Sequence, residues 1–251
     1  MKPKVSDLAK ASKASYEMTG KGNKMKRIER TMNEAPEGWI IMPEHTDKQI
    51  SVFKNDIDDY IIAHRGSDFL GTQGKKDVIS DWNILIGKPG SDKAIKRRVM
   101  KTERIVKKLK KDTDNPNIYL TGHSLGSVSA YQSMLSSDIV RDNIKEFHSF
   151  NSGSSPVASN KIDNESDLYK NLKEKSTHHR VLGDTISAFN RNNMIGDHKT
   201  YKSDKQPSVA DKVVNIVSSL AGIGTIFKVG SKIKEKLSKH SIDNFIVPDP
   251  V

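Results

Sequence analysis

Short apolar runs alternate along the chain with longer stretches in which apolar residues recur every third or fourth position, and each rhythm predicts a different element. The runs ISVFK (50–54), DYIIAHRG (59–66), NIYLTG (117–122), EFHSFNSG (146–153) and HHRVLGD (178–184) read as strands. Helical spacing predicts helices over Lys4–Met18, Lys93–Lys111, Ser124 to about Leu135, and Asp167–Lys173, with a further helical region at 209–240. Strands separated by helices predict an α/β protein with a mostly parallel central sheet flanked by helices. No internal repeat or low-complexity linker interrupts the 251 residues, so one domain spanning 1–251 is expected, opening with a helical segment over 1–35.

The chain has no cysteine, which excludes disulfides, thiolate nucleophiles and cysteine-held metals. No metal or organic cofactor is expected. The start, MKPKVSDLAKASKASYEM, spreads charges through every turn and has no apolar stretch of the kind an export signal requires. An intracellular or virion-associated location, peripheral at membranes, is the matching expectation. Val213–Phe227 is uncharged but short, and Asn215 and two serines interrupt it. A spanning helix wants about 20 apolar residues, so a buried or surface-docking helix is expected there, with a membrane-inserting element as the alternative.

The net charge of +11 is concentrated. Between Lys93 and Lys111 ten lysines and arginines stand against Glu103 alone, while Ile95, Val99, Val106 and Leu109 form one apolar stripe. The expected element is a basic amphipathic helix whose charges cover its outer face, suited to contact with an anionic membrane surface. No zinc spacing and no aromatic RNA-binding strand accompany it, so nucleic acid is not the expected partner.

Within YLTGHSLGSVSAYQSML (119–135), Gly122-His123-Ser124-Leu125-Gly126 fits G-x-S-x-G, in which a serine sits on a tight strand-to-helix turn between glycines that let the backbone pass closely. The helix start that follows offers free amides where an oxyanion would form. A glycine-framed turn with an idle serine is the plainer alternative. A nucleophilic serine needs an acid and then a histidine downstream. Asp184 follows a strand directly and is the candidate acid, and five histidines follow Ser124: His148, His178, His179, His198 and His240.

YLTGHSLGSVSA resembles the nucleophile segment of the fungal-type, class 3 lipases, which are α/β-hydrolases. YIIAHRGSD followed by Asp81-Trp82 is similar to their upstream strand with its Arg-Gly-Ser/Thr turn, and RVLGD is similar to the strand that delivers their acid. The likeness covers Asp59 to Asp184. It implies a carboxylic ester hydrolase acting on lipid esters, acylglycerol or phospholipid, through Ser124, Asp184 and a histidine. His240 lies 56 residues beyond Asp184, as the family spacing implies, whereas His198 lies only 14 beyond. The string KHSIDNF also resembles compact lipase-like proteins of large DNA viruses. The oxyanion donors implied are Ser67 and the Leu125 amide. A lid is implied over FLGTQGKKDVISDWNILIGKPG, with Gly71 and Gly74 as joints and Ile84, Leu85 and Ile86 as its apolar patch. Three positions depart from the family pattern: His64 for an aromatic or apolar residue, Ser127 for a third glycine, and Thr185 for a proline. A hydrolase-like scaffold that binds lipid or protein without catalysis is the alternative from another class, and a basic nucleic-acid-associated protein a further one.

Overall fold

The computed structural model describes residues 2–66, 93–153, 162–182, 194–201 and 241–246. Seven strands form one sheet in sequential order: β1 (Ile40–Ile41), β2 (Ile50–Lys54), β3 (Asp59–His64), β4 (Asn117–His123), β5 (Ile144–Phe150), β6 (Ser176–Val181) and β7 (Asp197–Tyr201). The pairs β1/β2 and β2/β3 are antiparallel, and every pair from β3 to β7 is parallel. The described helices are α1 (Val5–Ala14), α2 (Lys24–Asn33), α3 (Lys93–Asp112), α4 (Leu125–Ser136), α5 (Asp138–Asn143) and α6 (Asp167–Lys175). Short 3-10 helices cover Ser15–Thr19 and Ile242–Phe245.

Strand order explains the layers. Each parallel connection steps the same way across the sheet, and right-handed crossovers that never reverse leave their helices on one face. That face holds Val106 and Leu109 of α3, Ala130, Tyr131 and Met134 of α4, Val140 of α5 and Leu172 of α6, packed on Val52, Tyr60, Ile62, Leu120 and Phe147. The alternate strand positions Phe53, Ile61, Ala63, Tyr119, Phe150 and Val181 point to the other face, away from the described crossover helices. Leu8, Ala11 and Ala14 of α1, Ile28 of α2, and Ile242 and Phe245 close it.

The pattern-predicted strands and helices between residues 50 and 181 appear within a few residues of their expected bounds. The first helix stops at Ala14, where the Ser15 hydroxyl donates to the Ser12 carbonyl at 2.7 Å and the chain tightens into a 3-10 turn. β1, β7 and α5 were not expected, and α2 was expected only as part of a helical segment. β7 reads DHKTY with no apolar face, and it forms because β6 would otherwise end the sheet with an open edge. Arg98 corrects the expected charge coat of α3. It sits on the inner stripe with Ile95, Thr102 and Val106 and is only 6% exposed.

Candidate active site

β4 runs into α4 through Ser124, whose φ of 55° and ψ of −125° are strained for a residue with a side chain. Such a conformation costs on the order of 1–3 kcal/mol and persists only where its surroundings over-determine it. Here they do. The Ser124 amide donates to the Phe150 carbonyl at 3.0 Å, and the Ser124 carbonyl accepts from the Ser127 amide at 3.0 Å. The Ser127 hydroxyl donates to the Gly122 carbonyl at 2.5 Å and accepts from the Phe150 amide at 3.2 Å. Ser127, the departure from the third glycine, is therefore a clamp that ties the turn to the end of β5.

Both framing glycines are there because backbone passes where a side chain would stand. A methyl on Gly122 would lie 2.5 Å from the Gly126 carbonyl carbon and 2.6 Å from the Ser127 nitrogen. One on Gly126 would overlap the His64 carbonyl oxygen and lie 2.8 Å from the Arg65 carbonyl carbon. The start of α4 is thus pressed against the end of β3. Gly66 lies against the elbow in the same way, since a methyl on it would meet the His123 carbonyl at 2.6 Å.

Ser124 is 1% exposed, and its Oγ has no hydrogen-bond partner among the described residues. Leu125 is the first residue of α4, so its amide has no acceptor within the helix. Tyr16, from the opposite layer, hydrogen-bonds His123 Nδ1 at 2.8 Å beside the elbow. A serine in a strained turn at a helix start on the carboxyl edge of a parallel sheet matches the position of a G-x-S-x-G serine.

The fold has counterparts among solved structures. The chain is similar to the crystal structure of a mutant form of MDLA from Penicillium cyclopium, with 15% identity and a TM-score of 0.50, over 82% of this chain and 83% of that one. The chain has an α/β-hydrolase fold. The crystal structure of M37 lipase is also similar, with 14% identity and a TM-score of 0.40 over 73% of this chain and 68% of that one. No protein-family model matches the chain, and no curated protein matches it by sequence.

In this α/β-hydrolase fold the downstream histidines divide sharply. His148 Nδ1 hydrogen-bonds His179 Nε2 at 2.9 Å, and its Nε2 lies 3.3 Å from Glu146 Oε2. His179 Nδ1 meets the Tyr201 hydroxyl at 2.8 Å, and burial pushes its pKa down to about 2. His178 lies between the Ser149 hydroxyl at 2.8 Å and the Ile195 carbonyl at 3.1 Å, and burial lowers it to about 3. His198 accompanies His178 in the β6/β7 register, and its Nε2 donates to the Met194 carbonyl at 2.9 Å. It sits three strands from β4, about 14 Å at the usual strand spacing. None of these four reaches Ser124.

Ser67, Asp184 and His240 lie outside the described residues, as do the expected lid with Gly71, Gly74 and Ile84–Ile86, the Asp81-Trp82 pair, Thr185, the helical region 209–240, and Val213–Phe227. Their described neighbours are informative. β6 ends at Val181 on the edge where β4 ends, three residues before Asp184. Ser241–Ile246, which follows His240 directly, packs against α1, and the Phe245 ring lies 5.0 Å from that of Phe150. Among the described residues no cluster of histidines and carboxylates could hold a metal ion, and no helix is long and apolar enough to cross a membrane.

Sequence reasoning missed the polar cluster behind the turn. His64 is fully buried, with Nδ1 2.9 Å from the Ser129 hydroxyl and Nε2 2.9 Å from that of Thr102. Burial first, and the Arg98 charge second, push its pKa down to about 3, so the ring is neutral. The signal was present in the spacing, because Arg98 and Thr102 follow Ile95 at helical intervals on the inward stripe.

Proposed function

We propose that the protein is a serine hydrolase that cleaves carboxylic ester bonds of lipids, acylglycerol or phospholipid, through Ser124, Asp184 and His240. The observation that carries this reading is the strained Ser124 at the β4/α4 junction, with a buried and unpaired Oγ. Four of the five histidines that follow Ser124 are committed elsewhere, which favours His240. The packing of Ser241–Ile246 on Phe150, whose carbonyl holds the Ser124 amide, supports the same choice.

In this mechanism His240 takes the proton from Ser124 Oγ as that oxygen attacks the ester carbonyl. Asp184 orients the imidazole and stabilises its charged form. The Leu125 amide and the amide or hydroxyl of Ser67 receive the oxyanion, and one such donor is worth about 3 kcal/mol. His240 then protonates the leaving alcohol, and water activated by the same histidine releases the acid. Gly66, the residue before Ser67 in the sequence, lies against the His123 carbonyl beside the elbow, which supports the Ser67 assignment. α3 begins on this edge with Lys93, Lys96 and Arg97 exposed, which favours contact with an anionic lipid surface.

The test is hydrolysis of chromogenic esters of short to long acyl chains by the protein and by Ser124→Ala, with and without anionic phospholipid vesicles. Turnover that vanishes in Ser124→Ala and rises on vesicles is expected. A folded protein with no Ser124-dependent turnover of any ester would leave the silent scaffold as the better description.

A further inference from the structure

The two proposed oxyanion donors follow separate strands in the sequence, Ser67 coming after β3 and Leu125 after β4, and a hole works only if their separation is fixed. Arg98 of α3 reaches both. Its Nη1 donates to the Arg65 carbonyl at 2.6 Å and to the Ser129 hydroxyl at 3.3 Å. Ser129 in turn donates to the Gly126 carbonyl at 3.0 Å, inside the first turn of α4. His64, the last residue of β3, bonds the same Ser129 hydroxyl on one side and Thr102 on the other. With the Ser129 proton on the Gly126 carbonyl and the imidazole neutral, His64 Nδ1–H donates to Ser129 and Nε2 accepts the single Thr102 proton, while Thr102 Oγ1 lies 2.8 Å from the Arg98 carbonyl, so the contacts link β3, α3 and α4. The whole cluster is buried.

We propose that Arg98, with His64 and Ser129, positions the oxyanion-binding elements by fixing the Arg65-Gly66 segment at the end of β3 against the start of α4. The proposal rests on the serine-hydrolase reading of Ser124. Arg98 touches neither substrate nor nucleophile and acts through the backbone it holds. A guanidinium suits the role because its planar fork can serve two acceptors at once, which an ammonium on a flexible stem does less well. His64 suits it because a neutral imidazole offers one donor and one acceptor to the two hydroxyls. An aromatic residue at 64 would fill the space but leave both hydroxyls without that partner.

The experiment compares the protein with Arg98→Ala, Arg98→Lys and Ser129→Ala, each counted by active-site titration. An alkyl trifluoromethyl ketone, whose adduct with Ser124 places an oxyanion in the hole, serves as the probe. A misplacement near 1 Å costs about 10²-fold in rate. The expected result is a fall in kcat of about 10- to 100-fold with KM within twofold, and ketone affinity weakened in proportion. Millimolar guanidinium should restore part of the kcat of Arg98→Ala, and equal methylammonium should not. Arg98→Ala and Ser129→Ala with kcat and ketone affinity within twofold of the parent would overturn the proposal, even if both melt earlier. Should Arg98→Ala fail to fold, Ser129→Ala decides by the same measures. Turnover that survives Ser124→Ala would instead remove the site reading itself.

Discussion

Gly122→Ala tests whether the turn owes its geometry to backbone packing. The added methyl would stand 2.5 Å from the Gly126 carbonyl carbon, 2.6 Å from the Ser127 nitrogen and 2.7 Å from the Gly126 oxygen, where ordinary contact begins at 3.4 Å. All three obstacles are backbone of one helical turn, so no side chain can swing aside. The start of α4 must retreat from β4 by roughly 0.9 Å, an overpacking that typically costs about 1–3 kcal/mol. In a chain of this length each kcal/mol lowers Tm by about 2–4 °C, so a drop of about 2–12 °C is expected. The same retreat carries the Leu125 amide and weakens the Ser127 clamp. A displacement near 1 Å there should lower kcat by up to about 10²-fold. Calorimetry and ester turnover, normalised to folded protein, measure both effects. A Tm within 1 °C of the parent together with kcat within twofold would refute the close-packing argument.

Two further outcomes follow from the same geometry. His64, His178 and His179 are held neutral with pKa values of about 3, 3 and 2, while the unfolded chain protonates them near 6.5. Because their folded pKa values are depressed, the unfolded state binds more protons between about pH 6.5 and pH 3, and stability falls as pH drops through that window. The slope of unfolding free energy against pH should approach three protons near pH 4.5, and a flat profile from pH 7 to 4.5 would contradict the buried network. Phe245→Ala removes a ring packed against Phe150 and Tyr201. It should cost about 3 kcal/mol or more and, by unseating the segment after His240, reduce kcat at least tenfold. Unchanged kcat in the folded variant would count against His240 as the base.

The sequence by itself determined the central strands β3 and β4, because their buried positions are largely apolar, and it determined the elbow, because only glycines permit the backbone contacts at 122 and 126. Its local patterns could not decide what depends on a neighbour. β7 carries no apolar face and exists because β6 needs an edge partner. Arg98 counts as one more charge on a basic helix until α3 is laid against β3 and α4, where its guanidinium finds the Arg65 carbonyl. The downstream histidines are equivalent as letters. Only the fold shows that His148, His178, His179 and His198 are spent in hydrogen bonds among the strands and to the Met194 and Ile195 carbonyls before β7, since a side chain's partners are set by which segments lie side by side.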